Sequence, residues 1–282
     1  MNQKRSVFLL GSLVFGFAFL YVPILSMMVF SFNESKLVTV WGGFSLKWYG
    51  QLLGNGAMLD AAWLSLRIAV VAACGATVIG TLAGLALARF GRFRMRTLFS
   101  GMVTAPLVLP EVITGLSLLL LFVAFAPLPL FPGERGFGTI AIAHITLTMS
   151  YVTVVVQSRM STLDESLEEA AMDLGARPMQ VFFAVTLPII APAMISGWLL
   201  AFTLSLDDLV IATFAAGPST NTLPMMIFST VRRGITPEIN ALATIMVSIV
   251  TLFVVIAGVA MSRREKRRQR DIQLAAAQMS SI

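Results

Sequence analysis

Apolar residues in this chain come in long runs, broken by short polar or basic segments. About 20 mostly apolar residues cross a bilayer as a helix, at about 1.5 Å each. Six stretches qualify: 7–31, 60–88, 97–126, 137–157, 187–215 and 239–261. The pattern predicts an all-α polytopic membrane protein with six transmembrane helices. The first stretch follows Lys4 and Arg5, as a signal peptide would. Its apolar run is too long for one, and no small-residue cleavage site closes it, so a retained helix is expected. The third contains Pro106 and Pro110, which remove backbone hydrogen bonds and predict a kinked helix beside a cavity. The second holds Gly80-x-x-x-Gly84, a close-packing pattern.

Composition removes the competing classes. Of 282 residues, 57% are hydrophobic and 12% charged. A soluble domain has about 45–50% and about 25%. Scarce charge excludes disorder, and Cys74, the one cysteine, excludes an internal disulfide framework. One transmembrane domain over 1–262 is expected, followed by a basic tail over 263–282. Lys and Arg divide about 14 to 6 between the two sides of six spans, with both termini on the richer side. That side is cytoplasmic by the positive-inside rule. The pI of about 10.1 thus follows from topology and implies no nucleic-acid partner. On the opposite side, the 33–59 loop carries Trp41, Trp48 and Tyr49, which suit a membrane interface.

Familiar catalytic chemistry is missing. No P-loop, HExxH or Cys/His cluster occurs, so no ATP site, metal or cofactor of its own is expected. His144, the one histidine, falls inside the fourth span, where a neighbouring helix is expected to satisfy it.

The cytoplasmic segment 159–187 reads differently. Ser161 and Asp164 fit a capping box. Asp164, Glu165, Glu168 and Glu169 suit the positive end of a short helix. Gly175 is placed to end it in the left-handed conformation, and Pro178 to open a second helix reaching 185. Leu163, Leu167, Ala170, Ala171 and Leu174 form an apolar stripe. A helix lying on anionic headgroups is basic on its polar face. This one is acidic, so a cytoplasmic protein partner is the better inference.

Glu169-Ala170-Ala171, Gly175 and Val185-Thr186-Leu187-Pro188 resemble the EAA motif of ABC importer permeases, with Val185 in place of Ile. The resemblance implies a type I permease bundle whose helix-turn-helix docks on a separate ATPase subunit. It assigns that contact to Glu169, Ala170, Ala171, Asp173, Gly175 and Pro188. The segments 36–41, 48–50, 105–115, 204–210 and 237–244 further resemble the polyamine permeases. From this follow a putrescine or spermidine substrate and a bacterial inner-membrane location. The implied partners are a second homologous permease, two ATPases carrying ATP and Mg, and a periplasmic polyamine-binding protein.

Three carboxylates fall within predicted spans: Glu111 in the third, Asp207 and Asp208 in the outer half of the fifth. Each is costly at the bilayer centre, by about 2.5–3.5 kcal/mol for Asp on the insertion scale. A cation pathway explains them, with Trp198 and Phe202 offering aromatic faces deeper in the same helix. Internal salt bridges, for example to Arg232 or Arg233, explain them too. Adjacent helical residues point about 100° apart, so Asp207 and Asp208 should not share a face. Two other functions stay open: an ABC permease for another solute, and a stand-alone channel or secondary transporter. The docking segment argues against the second of these.

Overall fold

Long apolar runs become long helices because hydrocarbon leaves the backbone no partner except itself. The structure, a computed structural model, describes residues 3–37, 40–91, 93–128, 132–234, 237–252, 255 and 259. The elements are α1 (Gln3–Phe30), α2 (Lys47–Gly54), α3 (Gly56–Arg89), α4 (Arg96–Val108), α5 (Glu111–Phe125) and α6 (Phe137–Ser161). They continue as α7 (Ser166–Asp173), α8 (Pro178–Val181), a π-helical turn (Phe182–Thr186), α9 (Leu187–Asp207), α10 (Val210–Ala215) and α11 (Leu223–Arg233). A shorter apolar helix, α12, covers Pro237–Leu252.

Four continuous helices are long and apolar enough to span a bilayer: Phe8–Phe30, Gly56–Arg89, Phe137–Ser161 and Pro178–Asp207. The expected third span departs from a kinked helix. It is a broken pair, α4 and α5, bent by 114°. Pro110 has no N–H to continue the ladder, and it forces Leu109 into extended backbone (ψ 138°). The fifth span also differs. It starts at Pro178, running through the π turn without interruption, and stops at Asp207 rather than at 215. The expected second short helix is therefore the first turns of this span. Pro188 explains the π turn: it cannot donate to Ala184, and Leu187 N–H bonds back to the carbonyl of Phe182. The sixth span is described only up to 252 and at 255 and 259, and the tail 263–282 lies outside the described residues.

The chain divides into two compact units. One comprises the described parts of Met1–Asn55 and Thr230–Ile282. Its α1 exposes Phe8, Leu13, Phe15 and Phe19. Asn33 organises the following loop, holding the carbonyl of Val40 and the amide of Gly42, each at 2.7 Å. Trp48 is buried and donates its indole N–H to the carbonyl of Asn33, whereas Trp41 is half exposed.

The other unit, Gly56–Ser229, is a bundle built on α3, α6 and α9. One buried cluster gathers Ile68, Leu118, Phe122, Ile140, Ile211 and Ala212. A second gathers Ala73, Ala76, Val152, Val156, Met160 and Ile190. The predicted close-packing pair sets the distance between α3 and α6. A Cβ on Gly80 would lie 2.7 Å from Val152 Cβ, and one on Gly84 would lie 3.1 Å from the carbonyl of Thr153. Gly80→Val should therefore lower the unfolding midpoint of the detergent-solubilised chain, by about 1–3 kcal/mol of overpacking. Gly101→Val, where nothing lies within 4 Å of the added Cβ, is the control and should shift it much less.

Candidate functional site

Two polar assemblies stand out in the apolar bundle, one at each end of α9. At the far end, α9 stops between the two aspartates. Asp207 is its last residue, and Asp208 is extended (ψ 125°). The expected divergence of the two side chains is present, but the helix end causes it, not the helical 100° step. Asp207 is exposed, and Asp208 is buried at 8% exposure.

The Asp208 carboxylate faces inward. Its Oδ2 accepts the amide N–H of Ala212 at 2.7 Å, and its Oδ1 that of Ile211 at 3.4 Å. It thereby caps α10, whose first amides have no carbonyl partner. His144 of α6 brings Nε2 within 3.2 Å of Oδ2 without hydrogen-bond alignment. His144 Nδ1 lies 2.7 Å from Ser205 Oγ. The other end of α10 is held as well, because Thr139 donates its hydroxyl to the carbonyl of Ala215 at 2.7 Å. Ser205 of a neighbouring helix thus satisfies Nδ1, as anticipated, whereas Nε2 is buried beside Asp208 with no hydrogen-bond partner among the described residues. The histidine's neighbours Ser205 and Asp208 had no signal in the sequence, since they lie 61 and 64 residues away.

Glu111 does not sit in mid-helix as expected. It is the first residue of α5, exposed at the break after Pro110, where the helix dipole favours a carboxylate. Trp198 and Phe202 stack in parallel, with centroids 5.3 Å apart and planes 10° apart. They are half-buried, and the Trp198 indole N–H points to Cys74 Sγ at 3.3 Å. Ten residues separate Trp198 from Asp208, about 15 Å along a helix. The structure thus separates the aromatic pair from the carboxylates and shows no contact between them.

The second assembly lies where α6 turns into α9. The helix boundary differs from the expected capping box. Ser161 is still in α6 and donates back to the carbonyl of Gln157. The cap of α7 is Asp164 alone, accepting the amide of Ser166 at 3.0 Å. That backbone bond holds the exposed Asp164 carboxyl below its ordinary range. The stabilisation is present above that range and is lost as pH falls through the lowered value. Gly175 has φ +88° and ends the element as predicted, with its amide on Met172 and that of Ala176 on the carbonyl of Ala171. Glu169, Ala170, Asp173 and Gly175 are all exposed, with Ala171 half-buried behind them. The apolar stripe is split: Leu167 and Leu174 face outward, Leu174 at 90% exposure, whereas Leu163 packs on the second buried cluster and Ala171 is half-buried. A groove of about 630 Å³ runs beside it, lined by Leu82, Phe90, Glu169, Met172, Met179 and Phe182. Pro188 is the second residue of α9, just beyond the π turn that it shapes.

Comparison with known proteins accounts for this combination. Residues 76–270 match the family described as "Binding-protein-dependent transport system inner membrane component". The chain belongs to that family. It is a multi-pass inner-membrane protein and a membrane component of a transport system. It is 58% identical over 271 residues to the putrescine transport system permease protein PotI of Escherichia coli K12, covering 96% of each chain. It is 41% identical over 247 residues to the spermidine/putrescine transport system permease protein PotC of the same strain, covering 88% of this chain and 90% of that one. Among solved structures, a bacterial ABC transporter for import of the polysaccharide alginate has a similar fold. Its TM-score is 0.66 at 15% identity, over 92% of this chain and 97% of that one. The MetNI methionine transporter gives 0.58 at 19% identity, over 73% and 94%. The type I permease bundle expected from the EAA resemblance is thereby supported.

Asp208→Ala should leave two buried amides and His144 without their partner. Thermal unfolding in detergent should register a loss of about 1–3 kcal/mol. Asp207→Ala, at an exposed position, should stay within about 0.5 kcal/mol of the parent.

Proposed function

We propose that this chain is one permease subunit of a bacterial ABC importer for polyamines, putrescine first and spermidine second. The observation that carries the proposal is the exposed α7, with Glu169, Ala170 and Leu174 turned outward, in a chain 58% identical to a putrescine permease. A carrier that works alone has no use for a helix that turns acidic and apolar side chains outward from its bundle.

The assembly comprises this chain, a second homologous permease, two cytoplasmic ATPases and a periplasmic polyamine-binding protein, all at the bilayer. Both termini face the cytoplasm, and ATP and Mg reside on the ATPases. This chain carries no cofactor and contacts no nucleic acid. Closure of the ATPase pair moves α7. Motion enters the fifth span at Pro178, and the bundle opens outward to take the diamine from its binding protein. ATP hydrolysis then resets the bundle inward. The membrane potential favours entry of each positive charge by about 2.3 kcal/mol per 100 mV.

Among the carboxylates, Asp207 and Glu111 are exposed at helix breaks and are the ones available to an ammonium group. Asp208 contributes by holding the break that positions Asp207. The stacked Trp198–Phe202 pair offers a flat face for a cation further along the path.

Labelled putrescine uptake tests the proposal, in cells without their own polyamine importers that express this chain with its transporter partners. Uptake should depend on ATP and fall when spermidine is in excess. Asp207→Asn should reduce it by about tenfold, the worth of one hydrogen-bonded charge. Gly175→Pro and Glu169→Lys should insert normally yet hydrolyse ATP without uptake. An assembled wild-type complex that moves no polyamine contradicts the substrate; normal coupling in both loop variants contradicts the docking role.

A further inference from the structure

The acidic run at the start of α7 divides its labour in a way its sequence does not announce. Glu169 is exposed. Glu168, one residue earlier, turns back into the bundle, where its side chain is only 16% exposed. One of its oxygens takes the Nε–H of Arg89 at 3.0 Å, and the other takes the hydroxyl of Thr186 at 2.7 Å. Arg89 is the last residue of α3, and Thr186 is the last residue of the π turn that feeds α9. The arginine side chain is 12% exposed and uses two further donors: Nη1 on Glu165 at 3.1 Å and Nη2 on the carbonyl of Leu163 at 3.2 Å.

We propose that Arg89 and Glu168 form a clasp that ties α7 to the ends of two membrane helices at once, and so delivers displacement of the docking helix to α3 as well as to α9. The covalent chain joins α7 to α6 and, through Gly175, to α9. Nothing covalent joins it to α3 nearby. The link through Gly175, at φ +88°, leads to α9 alone and leaves α3 slack. The guanidinium fork removes that slack. Three of its N–H groups end on three acceptors that bracket the start of α7, a geometry that a lysine cannot copy. Thr186 makes Glu168 a bridge rather than a terminus, since the same carboxylate holds α3 with one oxygen and α9 with the other. Glu165, with a side chain 64% exposed, is the weaker arm. Arg89 and Glu168 are thus positioning residues: they do not touch the transported cation.

The proposal rests on the reading of α7 as the docking helix, and the test has two arms that separate them. The first arm is hydrogen exchange of the α7 amides in the full chain, which needs neither substrate nor ATPase. R89A and E168A should speed exchange by about tenfold or more, R89K should fall between, and E165A should have a smaller effect. The double variant R89A/E168A should fall short of the sum of the two single effects, because both singles remove the shared Arg89–Glu168 contact, and should exceed R89A only by the loss of the Thr186 bond. The second arm is putrescine transported per ATP hydrolysed by the reconstituted complex, expected to fall about tenfold in R89A while the complex assembles and hydrolyses ATP. Unchanged exchange in R89A overturns the clasp. Faster exchange with an unchanged transport ratio also overturns it, leaving the contact merely structural. A wild-type complex that hydrolyses ATP but moves no putrescine defeats the substrate reading. The clasp is then decided by the exchange arm, which needs no substrate.

Discussion

A backbone N–H or C=O in hydrocarbon must find a partner within the protein, and each departure from a straight helix here is organised around that requirement. Where α9 stops, the Asp208 carboxylate takes up the amides of Ile211 and Ala212, and Thr139 covers the carbonyl at the other end of α10. Where Pro188 removes a donor, the ladder shifts by one residue into a π turn. Where Pro110 interrupts the third span, the chain turns by 114° and a carboxylate opens the next helix. At two of these breaks a carboxylate, Asp208 or Glu111, sits where a helix begins.

Between the two polar assemblies runs one uninterrupted rod, Pro178–Asp207. Thirty residues in helical form cover about 45 Å, more than the hydrocarbon thickness. Displacement entering at the π turn reaches the Asp207–Asp208 break without passing through a flexible loop. The close contact of α3 with α6 through Gly80 and Gly84 supplies the stiff body against which such a rod can shift. Rigidity near the Gly pair and irregularity at the two breaks are complementary demands on one fold.

How much of this the sequence discloses depends on the range of the interaction involved. Signals that act within a few residues were legible: the apolar runs, Gly80-x-x-x-Gly84, the left-handed Gly175, the outward acidic helix. Prolines told where a helix would suffer but not by how much, so the kink expected at Pro110 is a full break. The capping box at Ser161 failed because α6 runs on through that serine, leaving Asp164 to cap alone. Contacts across long separations were not legible. Arg89 read only as one more positive charge on the cytoplasmic side, whereas its partners lie 76 and 79 residues further on. Asp208 read as a pathway residue, and its burial against His144 depends on how α6 and α9 pack.

Import by this chain requires that movement at the exposed helix be linked to a polyamine at the far end. The most direct measurement is ATP hydrolysis by the complete complex in nanodiscs, with and without putrescine-loaded binding protein. Stimulation by the loaded binding protein, abolished when α7 is replaced by a flexible linker of equal length in a complex that still assembles, is the predicted result. Stimulation that survives loss of α7, or an assembled wild-type complex whose hydrolysis is indifferent to the polyamine, would contradict it.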